Sequence, residues 1–80
     1  MSWAIEILGK VLLHSDREPA IVAKAMELGG TYAYREDRGG DSFGRLVTLT
    51  FEFEEEAAAQ QAAEAIRAMG EQVEGPMPYE

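Results

Sequence analysis

Between Leu46 and Phe53 the chain reads Leu-Val-Thr-Leu-Thr-Phe-Glu-Phe, with Val47, Leu49, Phe51 and Phe53 at every second position and Thr48, Thr50 and Glu52 between them. Successive side chains of a strand point to opposite faces, so this spacing predicts a strand with one face in a core and the other turned away from it. β-branched and aromatic residues fill the stretch, and no Gly or Pro interrupts it. Such a face has to be covered by a second layer, and a chain of 80 residues has room for one two-layer core. The rest of the chain is read as what packs on this strand.

Trp3 to Leu13 reads as a long first strand, in which Gly9 predicts a bulge that shifts the inward face by one residue. Ser15 or Asp16 can cap the helix that follows, and Pro19 suits its first turn. Ile21, Ala25 and Leu28 mark one helical face, with Val22 and Met26 beside it, and Gly29-Gly30 ends the helix. Thr31 to Asp37 forms the second strand, with Tyr32 and Tyr34 on one face and Ala33 and Arg35 on the other. Residues 38–42 are turn formers, so the second strand and the 46–53 strand should make an antiparallel hairpin. Glu54 to Met69 is the second helix. Its three leading glutamates complement the positive end of the dipole, and Ala58, Ala62, Ala65, Ile66 and Met69 form a stripe of small residues. Gln72-Val73-Glu74 starts a short fourth strand. Pro76 and Pro78 are then expected to end regular structure, leaving a single domain over residues 1–75 and a tail over 76–80.

This order, β-α-β-β-α-β, predicts an α+β two-layer sandwich of the ferredoxin-like kind. Right-handed crossovers give an antiparallel sheet of order 4-1-3-2, with two helices on one face and the other face open. A helix pair with an isolated hairpin is the alternative, and it leaves Trp3 to Leu13 unexplained.

Charge narrows the partners. Fifteen acidic residues against seven basic give a formal net charge of −8, which repels nucleic acid and anionic membranes and favours a partner with a basic surface. The chain has no Cys, so disulfide, thiolate and Cys-ligated zinc chemistry are excluded. No apolar run approaches the roughly 20 residues that span a bilayer. The N-terminus lacks the pattern of a secretory leader, and a cytoplasmic location is expected.

Three places can carry chemistry. The expected topology brings His14 and Asp16 to the same sheet edge as Asp41, where imidazole and carboxylates can bind a small ligand or a divalent metal. The plainer account makes His14 a strand-end residue, Asp16 a helix cap and Asp41 a turn former. Gly39 to Gly44 is rich in glycine but joins two strands, so it lacks the helix N-terminus of a phosphate loop and reads as a hairpin turn. The third place is the open sheet face, where Glu6, Leu8, Thr48, Thr50 and Glu52 are expected to lie. A small domain with a semi-apolar face commonly buries it against a second copy, and a homodimer is expected; a solvated face is the alternative.

The layout is similar to several small families, and most are refused by their motifs. The heavy-metal-associated domain carries Cys-x-x-Cys where this chain has His14 to Arg17. RNA-recognition motifs stack bases on open-face aromatics, whereas here Phe51 and Phe53 share the apolar stripe. Acylphosphatases need an Asn, and this chain has none. In layout alone the chain resembles ACT-type regulatory domains and dimeric α+β barrels. The expectation is therefore a non-catalytic interaction or regulatory module, self-associating through its open face and needing no cofactor. A ligand or metal site at His14, Asp16 and Asp41 is the second reading. A small enzyme with Tyr32, Tyr34 or His14 in a cleft between subunits is the third.

Overall fold

The computed structural model describes residues 1–12, 17–41 and 44–79. Its elements are β1 (Ser2–Leu12), α1 (Arg17–Glu27), β2 (Thr31–Asp41), β3 (Gly44–Phe53), α2 (Glu56–Ala68) and β4 (Gln72–Tyr79). The strands form one antiparallel sheet of order β2-β3-β1-β4, which is the expected 4-1-3-2 read from the other end. The result is an α+β layout consistent with the ferredoxin-like arrangement.

The alternation on β3 sets the core. Val47, Leu49, Phe51 and Phe53 are buried with Ile5 and Ile7 of β1, Val73 of β4, Ile21 and Ala25 of α1, and Ala59, Ala62, Ala63 and Ile66 of α2. Because both helices pack into this one cluster, they lie on the same side of the sheet. β1 pairs with β3 without a break from Trp3↔Phe53 to Leu12↔Gly44. Gly9 therefore makes no bulge there; the irregularity in β1 falls between Ala4 and Glu6, where it meets β4.

Other expectations are corrected. In β2 the register shifts between Tyr32 and Tyr34, which puts the two tyrosines on opposite faces. Tyr32 stacks on Phe51 on the helix side, with ring centroids 5.0 Å apart and planes at 25°. Tyr34 sits opposite Thr50 on the other side. β2 also runs on through residues 38–41, expected to be a connection, with a second shift between Asp37 and Gly40. Bulges of this kind re-aim side chains and add twist; the second falls at Gly39-Gly40, whereas no glycine marks the first.

In α2 the buried line is Ala59, Ala62, Ala63 and Ile66, which keeps Ala62 and Ile66 of the expected stripe and adds Ala59 and Ala63, while Ala58 and Ala65 are half-buried and Met69 is exposed. Alanines occur almost all round this helix, so its small-residue pattern names no single face. The helix starts at Glu56, after an extended Glu55.

β4 does not stop at Gly75. Met77 pairs with Ala4, Pro78 with Trp3 and Tyr79 with Ser2, whose hydroxyl donates to the Tyr79 carbonyl at 3.0 Å. Pro is tolerated because β4 is an edge strand, half of whose N–H groups have no ladder partner to serve. The Gly75–Pro76 peptide is cis. Arg67 of α2 donates to the carbonyls of Val73 at 3.0 Å and Gly75 at 3.3 Å, fastening the strand on both sides of Glu74.

Gly75 has φ 108°, and a Cβ there would stand 2.7 Å from the Ala4 carbonyl oxygen; Gly29 has φ 100° with open space around it. Gly29→Ala should thus cost about 1–2 kcal/mol, the usual penalty of a side chain at positive φ. Gly75→Ala should cost clearly more, since the clash with β1 adds to it. Urea unfolding of both variants checks this, and equal losses would contradict the pairing of β4 beyond Gly75.

Candidate functional site

The side of the sheet without helices is built from the even-numbered positions of β1 and β3. Register sets three rows across it, each running from β4 through β1 and β3 to β2: Met77, Ala4, Glu52, Thr31; then Glu74, Glu6, Thr50, Tyr34; then Gln72, Leu8, Thr48, Glu36. Short side chains at Ala4, Thr48 and Thr50 on the central strands lie among longer ones at Glu6, Leu8, Glu52, Glu36, Tyr34, Glu74 and Met77. Thr48 and Thr50 are only 5% and 7% exposed although no helix covers them, because Leu8 and Glu36, and Glu6 and Tyr34, flank them.

The face is consequently troughed. A groove of about 250 Å³ is floored by Ala4, Glu6 and Thr50 and walled by Tyr34 on one side and Met77, Pro78 and Tyr79 on the other. A second hollow of about 170 Å³ lies beside Leu8, Leu46, Thr48 and Arg38. Tyr34 is 59% exposed and Leu46 51%, a large apolar exposure for so small a domain.

Charge on this face is lopsided. Glu6 and Glu74 stand directly opposite each other across β1 and β4. Neither makes an ion pair or hydrogen bond with a described residue, and the same holds for Glu52. Like charges directly opposite are unfavourable, with Cβ atoms roughly 5 Å apart. Among the described residues of this face Glu36 has a counter-charge, Arg38 at 3.3 Å.

On the helix side several charges are paired, although Glu54, Glu55 and Glu56 at the start of α2 make no ion pair with a described residue. Arg35 donates to Glu18 at 2.7 Å, joining β2 to α1. Arg45 donates to Asp37 at 2.7 Å, and the amide of Gly39 donates to the same carboxylate at 2.8 Å. Arg45 first, and the Gly39 amide second, hold the Asp37 carboxyl below its usual range. At the far end Arg17 donates to Glu71, whose side chain is 5% exposed, so the start of α1 is tied to the segment after α2.

Glu6, Leu8, Thr48, Thr50 and Glu52 thus share one face, as expected. Leu46, Tyr34, Glu74, Met77 and Tyr79 belong to it as well. Leu46 was legible, since it continues the alternation of Thr48 and Thr50. Tyr34 was hidden by the bulge, and β4 by its prolines.

Of the expected metal set, His14 and Asp16 lie outside the described residues, and Asp41 is the last residue of β2, opposite Gly44. Among the described residues no group of three or more His, Asp or Glu is disposed to hold a metal ion. Tyr32 and Tyr34 lie on opposite faces of the sheet. Burial, and then Glu18, push the Tyr32 hydroxyl up, with Arg35 opposing, which disfavours it as a base at neutral pH. Among the described residues no helix is long and apolar enough to cross a membrane.

The Asp37 clamp gives a pH test. A carboxyl depressed in the folded state stabilises it fully above the unfolded group's titration, near pH 4, and that contribution is lost as pH falls through the lower folded value. Asp37→Asn should therefore be less stable than the wild type at pH 7, and the gap should close as pH falls below about 4. Urea unfolding from pH 7 to pH 2 reads it, and a gap that persists unchanged at pH 2 would contradict the clamp. No protein-family model matches this chain, and no curated protein matches it significantly, so a function has to be argued from this geometry.

Proposed function

We propose that this protein is a small interaction module without catalysis of its own, which docks a basic segment of another protein on its open sheet face. The observation that carries the reading is the combination on one surface of an apolar groove with acidic residues that have no counter-charge among the described residues. Grooved apolar surface rimmed by polar groups marks a site of association, and complementary charge steers the encounter and selects the partner. The overall charge of −8 acts in the same direction.

Self-association through the same face is the second reading, favoured by the exposure of Leu46 and the hollow beside it. A symmetric pair of this kind is isologous, so each copy sets the same patch against the other. It would lay Glu6, Glu52 and Glu74 of one copy against those of the next, at a cost in repulsion that a basic partner avoids.

Photo-crosslinking in cells separates the two. With a benzophenone amino acid at Tyr34 or Leu46, the expected product is a crosslink to a Lys- or Arg-containing segment of a different protein, weakened by high salt in extracts. A control position on the outer side of α2, Gln60, should give none. Crosslinks from Tyr34 and Leu46 only to a second copy of this chain would overturn the proposal in favour of self-association.

A further inference from the structure

The 250 Å³ groove has a composition that selects among basic side chains. Its length is apolar, from Ala4, Met77 and Pro78, and two phenol rings stand in its walls, Tyr34 on β2 and Tyr79 on β4. At its floor lies Glu6, half-buried, with Glu74 as its direct cross-strand neighbour. Calcium takes six to eight oxygens, and two carboxylates between aromatic and thioether walls supply only part of that shell. A long side chain with an apolar stem and a delocalised cationic head matches every part. Its stem lies along the apolar walls, its planar head stacks against a tyrosine ring, and its several donors reach two carboxylates at once.

We infer that this groove is a receptor for one arginine side chain of the docked segment, with Tyr34 and Tyr79 as its walls and Glu6 and Glu74 as its counter-charge. The inference rests on the docking reading and narrows it. Arginine is favoured over lysine because a guanidinium presents a flat, weakly hydrated face and a fork of donors, whereas an ammonium is a compact and strongly hydrated point charge. Binding of the cation also relieves the repulsion between Glu6 and Glu74, so the site is more favourable occupied than empty.

The test is an NMR titration of the labelled chain with three capped tripeptides, acetyl-Ala-X-Ala-amide, where X is arginine, lysine or norleucine. The arginine peptide should shift the ring resonances of Tyr34 and Tyr79 and the methyl of Met77. It should bind several-fold more tightly than the lysine peptide and at least tenfold more tightly than norleucine, and weaken as salt is raised. Glu6→Gln should weaken it about tenfold, the loss expected for a charge-assisted hydrogen bond, while the resonances of Phe51 and Ile66 show that the core is unchanged. Tyr34→Ala, at an exposed edge position, is a second variant that leaves the core untouched and should lower the affinity as well. Equal binding by norleucine at the same residues would overturn the arginine site while leaving an apolar docking face in place. No shift from any peptide would also overturn it; the docking reading would then stand or fall on the crosslinks from Leu46. Displacement of the arginine peptide by an equal concentration of calcium chloride would overturn it in favour of a metal.

Discussion

A strand has two faces, and this protein has a second layer for only one of them. Everything distinctive in the structure follows from that asymmetry at the centre of the sheet, where β1 and β3 pair without interruption over ten positions. Phe51, Phe53, Ile5 and Ile7 go under the helices and are essentially removed from water. At roughly 25 cal/mol per Å² of buried apolar surface, such residues dominate the folding free energy of a domain this size. The intervening positions have no such cover. Short Ala4, Thr48 and Thr50 there are interspersed with the longer Glu6, Leu8 and Glu52, so the uncovered face becomes a shallow relief rather than a plane.

The two edges of the sheet are treated differently. β4 is an edge closed by chemistry: two prolines remove donors, and Arg67 and Ser2 hold its carbonyls. Edge strands carry unpaired backbone groups that invite another chain, and proline is one of the ways such an edge is blunted. β2 is blunted by its two register shifts and by a row of charged side chains from Arg35 to Arg38, most of them engaged in pairs. With both edges discouraged from strand addition, association through the broad face is what the architecture leaves open.

Much of this was legible in the residues. The alternation at Val47 to Phe53 defines the central strand and its inward face, and glutamates before an alanine-rich run mark α2. What was not legible depends on register, which period alone does not carry. The separation of Tyr32 from Tyr34 needs one extra residue in β2, and nothing about Ala33 signals it. The buried line of α2 could not be read because alanine on every side leaves no contrast between faces. Pro76 and Pro78 argue against a strand only if it is central, and β4 is an edge. Most consequential for the site, the opposition of Glu6 and Glu74 joins residues 68 positions apart and emerges only once β1 and β4 are aligned.

On the proposed reading the open face is vacant in the isolated protein, kept so by carboxylates that are unmatched among the described residues. The most direct measurement is solution mass by light scattering at low and at high micromolar protein in low salt, where electrostatic repulsion is least screened. The account predicts a single species of 8.8 kDa at both concentrations. A dimer at low micromolar protein that Leu46→Lys disperses would contradict it, because the face would then already be filled by a second copy of the chain.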